Sequence, residues 1–199
     1  WVLLGSDLAG LELRCLAHYL NDPDFTAQIL DGDIHQYNAK AFGVDRPTAK
    51  TVVYSMMYGA GDTLVGSVAG GDAKLGKKLK ANYAREVPAF ATLQRGISRA
   101  FKRRGYLKGL DGRRLIIRGG SEHKCLSQLL QSAGAILCKK WVDLIDQELR
   151  DKDDLAYMVG WIHDEVQIAC KSKEVADHVG DITRRMAEEA GRAFGFRVP

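Results

Sequence analysis

The sequence predicts an α+β fold in which a block of helices is inserted between strands. Strand-like segments occur near both ends of the chain and once in between, over residues 2–6, 106–118 and 155–170. The intervening segments show the spacing of apolar residues that is typical of amphipathic helices, and we find no internal repeat or low-complexity segment. Groups of strands separated by a run of helices are typical of mixed α+β domains.

Length and composition set the first bounds on function. The 199 residues, 46% of them hydrophobic, are sufficient to bury the core of one or two compact domains. We expect neither a membrane span, which needs about 20 apolar residues in a row, nor a signal peptide. The wide spacing of the cysteines argues against a zinc site or a disulfide framework and favours reduced thiols in the cytosol. These cysteines are Cys15, Cys125, Cys138 and Cys170.

The charge of the chain is unevenly distributed, although its net value is only +4. Between Lys74 and Lys108 there are eleven Lys or Arg residues and a single acid, Glu86. Such a run is either a solvated surface or a contact surface for a polyanion such as DNA or RNA, and the sequence leaves both interpretations open.

The first half of the chain contains one strand followed by helices. Val2–Ser6 form an apolar strand that ends at Asp7. The helix boundaries after it are predicted from the cap at Asp33 and from breaks at Gly or Pro. The predicted helices are Leu11–Leu20, Phe25–Leu30, Asp33 to about Gly43, Arg46–Tyr58, Asp62–Ala69, Asp72–Arg85 and Pro88–Arg104.

The helix at residues 46–58 carries a polar stripe along one side. Pro47 is suited to its first turn and Gly59 to its end. The stripe recurs every fourth residue and is roughly 18 Å long, with two cations at the helix N-terminus and two aromatic rings beyond them. That order suits a nucleotide with its phosphates on the cations and its sugar and base against the rings. A solvated amphipathic helix is the alternative. The stripe consists of Arg46, Lys50, Tyr54 and Tyr58.

The second half of the chain returns to strands. Residues 106–110 and 113–118 predict a β-hairpin with a type I′ turn at Asp111-Gly112. The elements predicted after it are a long helix over 121–150, strands over 155–162 and 166–170, a helix over 172–194 and the start of a strand at 196–199.

Two acids lie where strands end or join, which is where a rigid sheet can direct side chains into a site. Asp7 follows the first strand, and Asp164 lies in the tight His163-Asp164-Glu165 connection. Turn and capping roles explain each Asp alone. Two carboxylates held together repel each other unless a hard divalent cation lies between them, and Mg²⁺ with substrate phosphates is the expected case in phosphoryl transfer.

An ordered set of motifs resembles family A DNA polymerases over nearly the whole chain, most closely their short-tailed-phage replicative branch. Motifs A, B and C correspond to D-L-A-G-L-E-L-R (Asp7–Arg14), R-x-x-x-K-x-x-x-Y-x-x-x-Y-G (Arg46–Gly59) and H-D-E (His163–Glu165). Three further segments are similar to that family: G-D-I-H (Gly32–His35), L-D-G-R-R (Leu110–Arg114) and L-L-Q-S-A-G-A (Leu129–Ala135).

The resemblance implies a set of catalytic and nucleotide-binding residues. Asp7 and Asp164, with the main-chain carbonyl of Leu8, would bind two Mg²⁺ ions, and Glu165 would be a secondary acid. The triphosphate of the incoming nucleotide would be bound by Arg46, Lys50 and His35, with Lys50 as proton donor to the leaving pyrophosphate. The sugar would contact Tyr54, while Tyr58 and Glu12 would bond each other and exclude a 2′-hydroxyl.

The resemblance also implies contacts with primer–template DNA. His163 and Gln131 would lie near the growing primer end, with Arg113 a weaker candidate. The family often has Asn four residues before this glutamine, where the chain has Ser127, so one polar contact is in doubt. A processivity partner is possible, and the sequence does not identify one.

The implied architecture is a polymerase palm at residues 1–31 and 105–199 with inserted fingers at 32–104, and with no thumb or exonuclease in the chain. The implied reaction adds deoxynucleotides to a primer 3′-hydroxyl and releases pyrophosphate in the cytoplasm of a bacterium or a phage-infected cell. A catalytically incomplete DNA-binding fragment remains an alternative. A single-subunit RNA polymerase typically has Ser where this chain has Glu165, and a metal-dependent hydrolase would leave the tyrosine stripe unexplained.

Overall fold

A computed structural model of the chain describes residues 1–117, 119, 121–150 and 154–196. In chain order, its elements are β1 (Val2–Asp7), α1 (Leu11–Leu20), α2 (Pro23–Leu30), α3 (Ile34–Phe42), α4 (Arg46–Met57), α5 (Asp62–Val68), α6 (Ala73–Glu86), α7 (Pro88–Arg104), β2 (Leu107–Lys108), β3 (Arg114–Leu115), α8 (Cys125–Leu149), β4 (Ala156–Ile162), β5 (Glu165–Cys170) and α9 (Lys173–Ala193). A 3₁₀ turn at Glu122–Lys124 precedes α8. The predicted α+β class is confirmed.

The chain divides into two compact units. The first, which we call the sheet unit, consists of Trp1–Cys15 and Ser132–Pro199. The second, the helical unit, consists of Leu16–Gln131. No helix in the described part of the chain is long and apolar enough to cross a membrane.

The sheet unit is built on an antiparallel sheet with the strand order β1-β5-β4. One face of the sheet is buried, because apolar side chains of β5 such as Val166 and Ile168 pack with Trp141 of α8 and Val179 of α9. The indole Nε1 of Trp141 donates a hydrogen bond to the main-chain carbonyl of Thr183 over 2.8 Å, so this buried polar group has a partner.

The core of the helical unit is aromatic. The Tyr83 ring stacks on Phe42 with centroids 4.4 Å apart and meets Phe90 edge-on at 5.2 Å. Its hydroxyl donates to Asn38 Oδ1 over 3.1 Å. These contacts fix α3 against α6 and α7, and therefore fix the start of α4, which follows α3 directly.

Aspartates cap most helices of the helical unit, and for α3 this was predicted from Asp33. The carboxylates of Asp22, Asp33, Asp45 and Asp72 accept main-chain N–H bonds in the first turns of α2, α3, α4 and α6. Each such cap satisfies donors that a helix start leaves unpaired. The predicted end of α4 is also confirmed, since Gly59 has a left-handed φ of 83° just beyond it.

The predicted type I′ turn of the hairpin is wrong. Such a turn needs a positive φ at both central residues, and only Gly112 has one, at 85°. The loop has three residues, 110–112, closed by a bond from the N–H of Gly109 to the carbonyl of Arg113 over 2.8 Å. The Asp111 carboxylate accepts from both the N–H and Nε of Arg113, which favours this wider loop. The paired strands are accordingly short.

Two other predicted boundaries shift. The long helix begins at Cys125 because a 3₁₀ turn occupies the residues before it. The connection between the last two strands is only His163-Asp164, since Glu165 already pairs with Ile162. Of the strand predicted at 196–199, Phe196 has no regular structure and the rest lies outside the described residues.

The boundaries of the two compact units differ from those predicted for the palm and the fingers. The hairpin and the 3₁₀ turn belong to the helical unit, partly because Lys102 of α7 forms a 3.2 Å ion pair with Glu122. A side chain at Gly59 would also collide with the His123 carbonyl. The assignment of residues 1–31, 32–104 and 105–199 to palm and fingers stays a prediction.

Candidate active site

The predicted acids of the sheet unit meet at one end of the sheet. In the β1–β5 register Asp7 lies opposite Glu165, and the N–H of Leu8 donates to the carbonyl of Asp164 over 3.1 Å. Motifs A and C, from opposite ends of the sequence, are therefore joined by main-chain hydrogen bonds. Strand pairing is the physical cause of the convergence that the positions of Asp7 and Asp164 at strand ends predict.

The connection that carries Asp164 has an unusual backbone. His163 has φ of 56°, one of two positive values at non-glycine residues in the described chain. Left-handed conformations are disfavoured for residues with a Cβ, although His tolerates them better than most. The carbonyl of His163 accepts a hydrogen bond from Nε1 of Trp161 over 2.8 Å. The turn is thus bonded through both of its main-chain carbonyls.

The acids at this end of the sheet are not neutralised by cations. Within the described residues, neither Asp7 nor Asp164 forms a side-chain hydrogen bond or an ion pair. The nearest polar partner of Glu165 is Nε2 of Gln167, 3.5 Å from its Oε1. Carboxylates held close together without a compensating cation repel each other, so this arrangement favours a bound positive charge.

Two buried thiols lie behind these acids. Burial, and after it the charge of Asp164, raises the pKa of Cys138 to about 11, with a smaller contribution from Glu12. Burial, then Cys138 and Glu12, raises the pKa of Cys15 to about 12. Both thiols therefore stay protonated at neutral pH. All four cysteines of the chain are free, as the sequence predicted, and all four are buried.

The donor set suits a hard cation. Carboxylates of Asp7 and Asp164 and the carbonyl of Leu8 offer only oxygen, which is the ligand type that Mg²⁺ prefers. Among the described residues no cluster of three or more His, Cys, Asp or Glu side chains forms a metal cage. Two carboxylates and a carbonyl leave most coordination positions for water or phosphate oxygens, as is usual for Mg²⁺.

The predicted phosphate-binding residues gather in the helical unit. Asp33 caps α3, and its carboxylate accepts from Nε of Arg46 at the start of α4 over 2.8 Å. His35 lies in the first turn of α3, with the Tyr54 ring 6.3 Å away. Burial, then the charges of Arg46 and Lys50, lower the pKa of His35, against a smaller opposite effect of Asp33.

His35, Arg46 and Lys50 together have the properties of an anion-binding site. Nδ1 of His35 is buried and has no hydrogen-bond partner among the described residues. Lys50 is exposed and forms no ion pair within the same set. The Arg46–Asp33 pair was missed from the sequence, although Asp and Arg at the starts of successive helices are the signal for it. Its partners are 49% and 46% exposed, so it is weak enough to be replaced by a phosphate.

The remaining predicted residues have varied surroundings. Tyr58 ends α4 with 48% of its side chain exposed, and Glu12 lies in the first turn of α1. Gln131 is exposed on α8, while Ser127, one turn earlier, is buried. Arg113 forms a 2.6 Å ion pair with Asp111 inside the hairpin loop, so it is already partly engaged.

The cationic run forms an exposed surface on α6 and α7. We call it the basic surface, and its members are Lys74, Lys77, Lys78, Arg95, Arg99, Lys102, Arg103 and Arg104. Of these, Lys102 alone forms an ion pair within the described residues, with Glu122. Lys80 is excluded from the surface because it bonds Asp62 at 2.9 Å and the carbonyl of Ala60 at 2.7 Å.

A cavity of about 600 Å³ in the helical unit was not predicted. It lies between the end of α4, α6, α7 and the start of α8, and its polar lining includes Gln94, Glu122 and His123. It arises where elements distant in sequence pack imperfectly. No spacing in the sequence signals such a cavity.

The comparisons with known proteins identify the family of the chain. The model of the family described as DNA polymerase family A matches residues 1–199, so the chain belongs to this family. A DNA-directed DNA polymerase of Enterobacteria phage T3 is 38% identical over 99% of this chain and 31% of its own length. The corresponding enzyme of Escherichia phage T7 is 37% identical over the same shares. The predicted resemblance to the phage branch is confirmed.

A solved structure shares the fold. The POL domain of Pol1 from M. smegmatis, in complex with DNA primer-template and dNTP, superposes with a TM-score of 0.83 at 20% identity. The match covers 94% of this chain and 36% of that one. The chain spans about a third of the length of the phage relatives.

Proposed function

We propose that this chain carries the catalytic centre of a template-directed DNA polymerase, which adds deoxynucleotides to a primer 3′-hydroxyl and releases pyrophosphate. The observation that carries the proposal is the pairing of β1 with β5. This pairing places Asp7 and Asp164 at one end of the sheet, where neither forms an ion pair with any described residue. Membership of DNA polymerase family A supports the same reaction.

The acids of the sheet unit are proposed to hold two Mg²⁺ ions. Family A DNA polymerases generally depend on a divalent metal. Asp7, Asp164 and the Leu8 carbonyl would hold the ions, and Glu165 would add negative charge without being essential. Bound Mg²⁺ would lower the pKa of the primer hydroxyl and neutralise charge on the phosphates. The chain contributes the fixed separation of the carboxylates, which strand pairing sets before any ligand arrives.

The cations of the helical unit are proposed to bind the nucleotide triphosphate. Arg46 would exchange Asp33 for a phosphate oxygen, and the partnerless Nδ1 of His35 would gain an acceptor. Lys50, exposed one turn along α4, would donate a proton to the departing pyrophosphate. The half-buried His35 supports this assignment, because burial and then the charges of Arg46 and Lys50 lower its pKa, and an anion would offset the effect of those charges.

The sugar and the primer–template are assigned to further residues of both units. Tyr54 would contact the sugar, while Glu12 and Tyr58 would exclude the 2′-hydroxyl of ribonucleotides. His163 and Gln131 would contact the primer end. Arg113 would do so only by releasing Asp111. The basic surface would attract the DNA backbone, and a processivity partner remains possible.

Primer extension tests the proposal. Asp7→Ala or Asp164→Ala should abolish nearly all Mg²⁺-dependent extension while DNA binding survives, because a metal ligand acts on the chemical step. Asp177→Ala is the matched control, since it removes an exposed carboxylate of α9 in the same unit. It should extend primers at the wild-type rate.

The outcome distinguishes the alternatives. Extension by either active-site variant at near the wild-type rate contradicts the metal assignment. DNA binding by the wild-type protein without extension would indicate an incomplete DNA-binding fragment. Efficient use of ribonucleotides in place of deoxynucleotides would indicate an RNA polymerase.

A further inference from the structure

The turn that carries Asp164 depends on a side chain that none of the motifs includes. Trp161 precedes the His163-Asp164 connection on β4, and its indole Nε1 donates to the carbonyl of His163 over 2.8 Å. The indole is 41% exposed, so packing in the core does not account for its position. A hydrogen bond of this length with a side-chain donor is among the better ones in proteins.

The bonded residue is the one with the disfavoured backbone. His163 has φ of 56°, and non-glycine residues remain in that region when their surroundings hold them there. The peptide whose carbonyl Trp161 holds is the one that joins His163 to Asp164. The direction of the Asp164 side chain therefore depends on the orientation of this peptide.

The other side of the turn is fixed by motif A. The N–H of Leu8 donates to the carbonyl of Asp164 over 3.1 Å, directly after Asp7. The two successive carbonyls of the turn are thus held from two strands, by a side chain of β4 and by the main chain that follows β1. Loss of the Trp161 bond therefore leaves the carbonyl of the left-handed His163 without this side-chain partner, while the Leu8 bond still holds the carbonyl of Asp164.

We propose that Trp161 is a positioning residue for the catalytic turn: its indole N–H holds His163 in the left-handed conformation and so aligns Asp164 with Asp7. This proposal rests on the proposed function for its catalytic consequence. Its structural part, the restraint on the turn, is measurable without activity.

The experiment compares Trp161→Phe with Trp141→Phe in the intact protein. Each change removes an indole N–H that donates to a main-chain carbonyl over 2.8 Å and keeps an aromatic ring. Only the first bond reaches the turn. The second lies in the core, where its loss lowers general stability. The two readouts are amide hydrogen exchange at Leu8 and the single-turnover rate of nucleotide addition at saturating DNA, nucleotide and Mg²⁺.

Trp161→Phe should raise the exchange rate of the Leu8 amide and lower the single-turnover rate, each by about fivefold, the effect of one hydrogen bond. The KM for the nucleotide should change less than twofold, because the phosphate-binding residues lie in the helical unit. Trp141→Phe should leave both the exchange rate of the Leu8 amide and the single-turnover rate at their wild-type values.

Three results would overturn the proposal. The first is a Leu8 exchange rate in Trp161→Phe equal to that of wild type. The second is an unchanged turnover rate although Leu8 exchange rises, and the third is a Trp141→Phe variant that reproduces both effects. A wild-type protein that extends no primer would instead contradict the proposed function, and the Leu8 amide would still report whether Trp161 restrains the turn.

Discussion

At the residue scale, the two groups of candidate residues differ in how they are held. Asp7 and Asp164 are placed by main-chain bonds of the sheet, so their positions depend little on their own side-chain contacts. His35 and Arg46 are placed by side-chain and capping bonds to Asp33. A substrate can therefore rearrange the second group more easily than the first. This difference suits rigid acids for chemistry and adaptable cations for binding.

His35 leads to a prediction on pH. Its lowered pKa, caused by burial and by Arg46 and Lys50, keeps it neutral at pH 7. The negative charge of a bound triphosphate offsets the effect of Arg46 and Lys50 and raises the pKa of His35. The complex therefore binds more protons than the free protein does. By linkage, nucleotide affinity should increase as pH falls from about 8 to 6, by up to roughly tenfold for each pKa unit gained.

The measurement is the KM for nucleotide across this pH range in wild type and in His35→Gln. Protonation of the nucleotide itself affects both proteins equally, so the ratio of their KM values isolates His35. A ratio that does not vary with pH would remove His35 from the phosphate site.

Tyr54 leads to a prediction on sugar recognition. Its half-buried ring lies near His35, one turn beyond Lys50, at the height expected for the sugar. The Tyr hydroxyl can replace the 3′-hydroxyl that a dideoxynucleotide lacks, whereas Phe cannot. Tyr54→Phe should therefore discriminate against dideoxynucleotides by tenfold to roughly a hundredfold more than wild type, the range for an unmade buried hydrogen bond.

Single-nucleotide incorporation of each deoxynucleotide and its dideoxy form gives this ratio for both proteins. Tyr37→Phe on α3 is a suitable control, because it removes another half-buried hydroxyl of the helical unit. Equal discrimination in wild type and Tyr54→Phe would mean that the hydroxyl has no part in sugar recognition.

At the element scale, the helical unit depends on glycines that no motif marks. The helices α5 and α6 approach so closely that a side chain at Gly66 would collide with the carbonyl of Asp72, and one at Gly76 with the carbonyl of Asp62. Glycine is needed here for close approach of two main chains. Both φ values lie outside the left-handed region, so backbone freedom is not the reason.

A pair of Gly→Ala changes tests this packing. Gly76→Ala should lower stability by about 1–3 kcal/mol or more, as is typical of overpacking a site that cannot yield. Gly96→Ala lies inside α7 with no atom within 4 Å of the added Cβ, so it should raise stability by about 0.4–1 kcal/mol. Urea unfolding of the two variants and of wild type measures both changes in stability. Equal effects of the same sign would show that the contact between α5 and α6 is not tight.

The element scale also shows what the sequence could predict. The start of α3 was predictable because Asp33 caps it locally, and α4 was predictable at both ends. The start of α2 was predicted at Phe25, two residues late, because Asp22-Pro23-Asp24 also suits the end of α1. The hairpin turn was not predictable, because Asp-Gly suits two kinds of loop. The ion pair of Asp111 with Arg113 favours the longer one. The left-handed His163 and the bond from Trp161 depend on strand register, which no local pattern specifies.

At the scale of the whole molecule, charge divides between the two units. The sheet unit has 11 of the 29 Lys and Arg residues and 15 of the 25 acids. The helical unit has the other 18 Lys and Arg residues and the other 10 acids. The formal charges are therefore −4 and +8, which together give the net +4. The run of cations was visible in the sequence. That Lys102 is the one member of the basic surface paired with an acid among the described residues was not visible, because ion pairs such as Lys102–Glu122 join distant segments.

This separation predicts how the chain binds DNA. The helical unit should attract the phosphate backbone through unpaired cations, so binding of primer–template by this chain should weaken steeply as salt rises. Each cation that contacts a phosphate contributes about 0.9 to the slope of log K against log salt on duplex DNA. The double change Arg99→Gln with Arg103→Gln should therefore reduce the slope by up to about 1.8. Lys171→Gln with Lys173→Gln removes the same charge from the sheet unit and should leave the slope unchanged.

Fluorescence anisotropy with labelled primer–template at increasing salt measures all three slopes. The paired design matters because a change in net charge alone would shift both double variants equally, whereas phosphate contacts made by α7 affect only the first. Equal slopes in the two double variants would assign the basic surface to solvation. Tight wild-type binding that hardly changes with salt would show that non-ionic contacts dominate, and would remove the charge difference between the units as the cause of DNA binding.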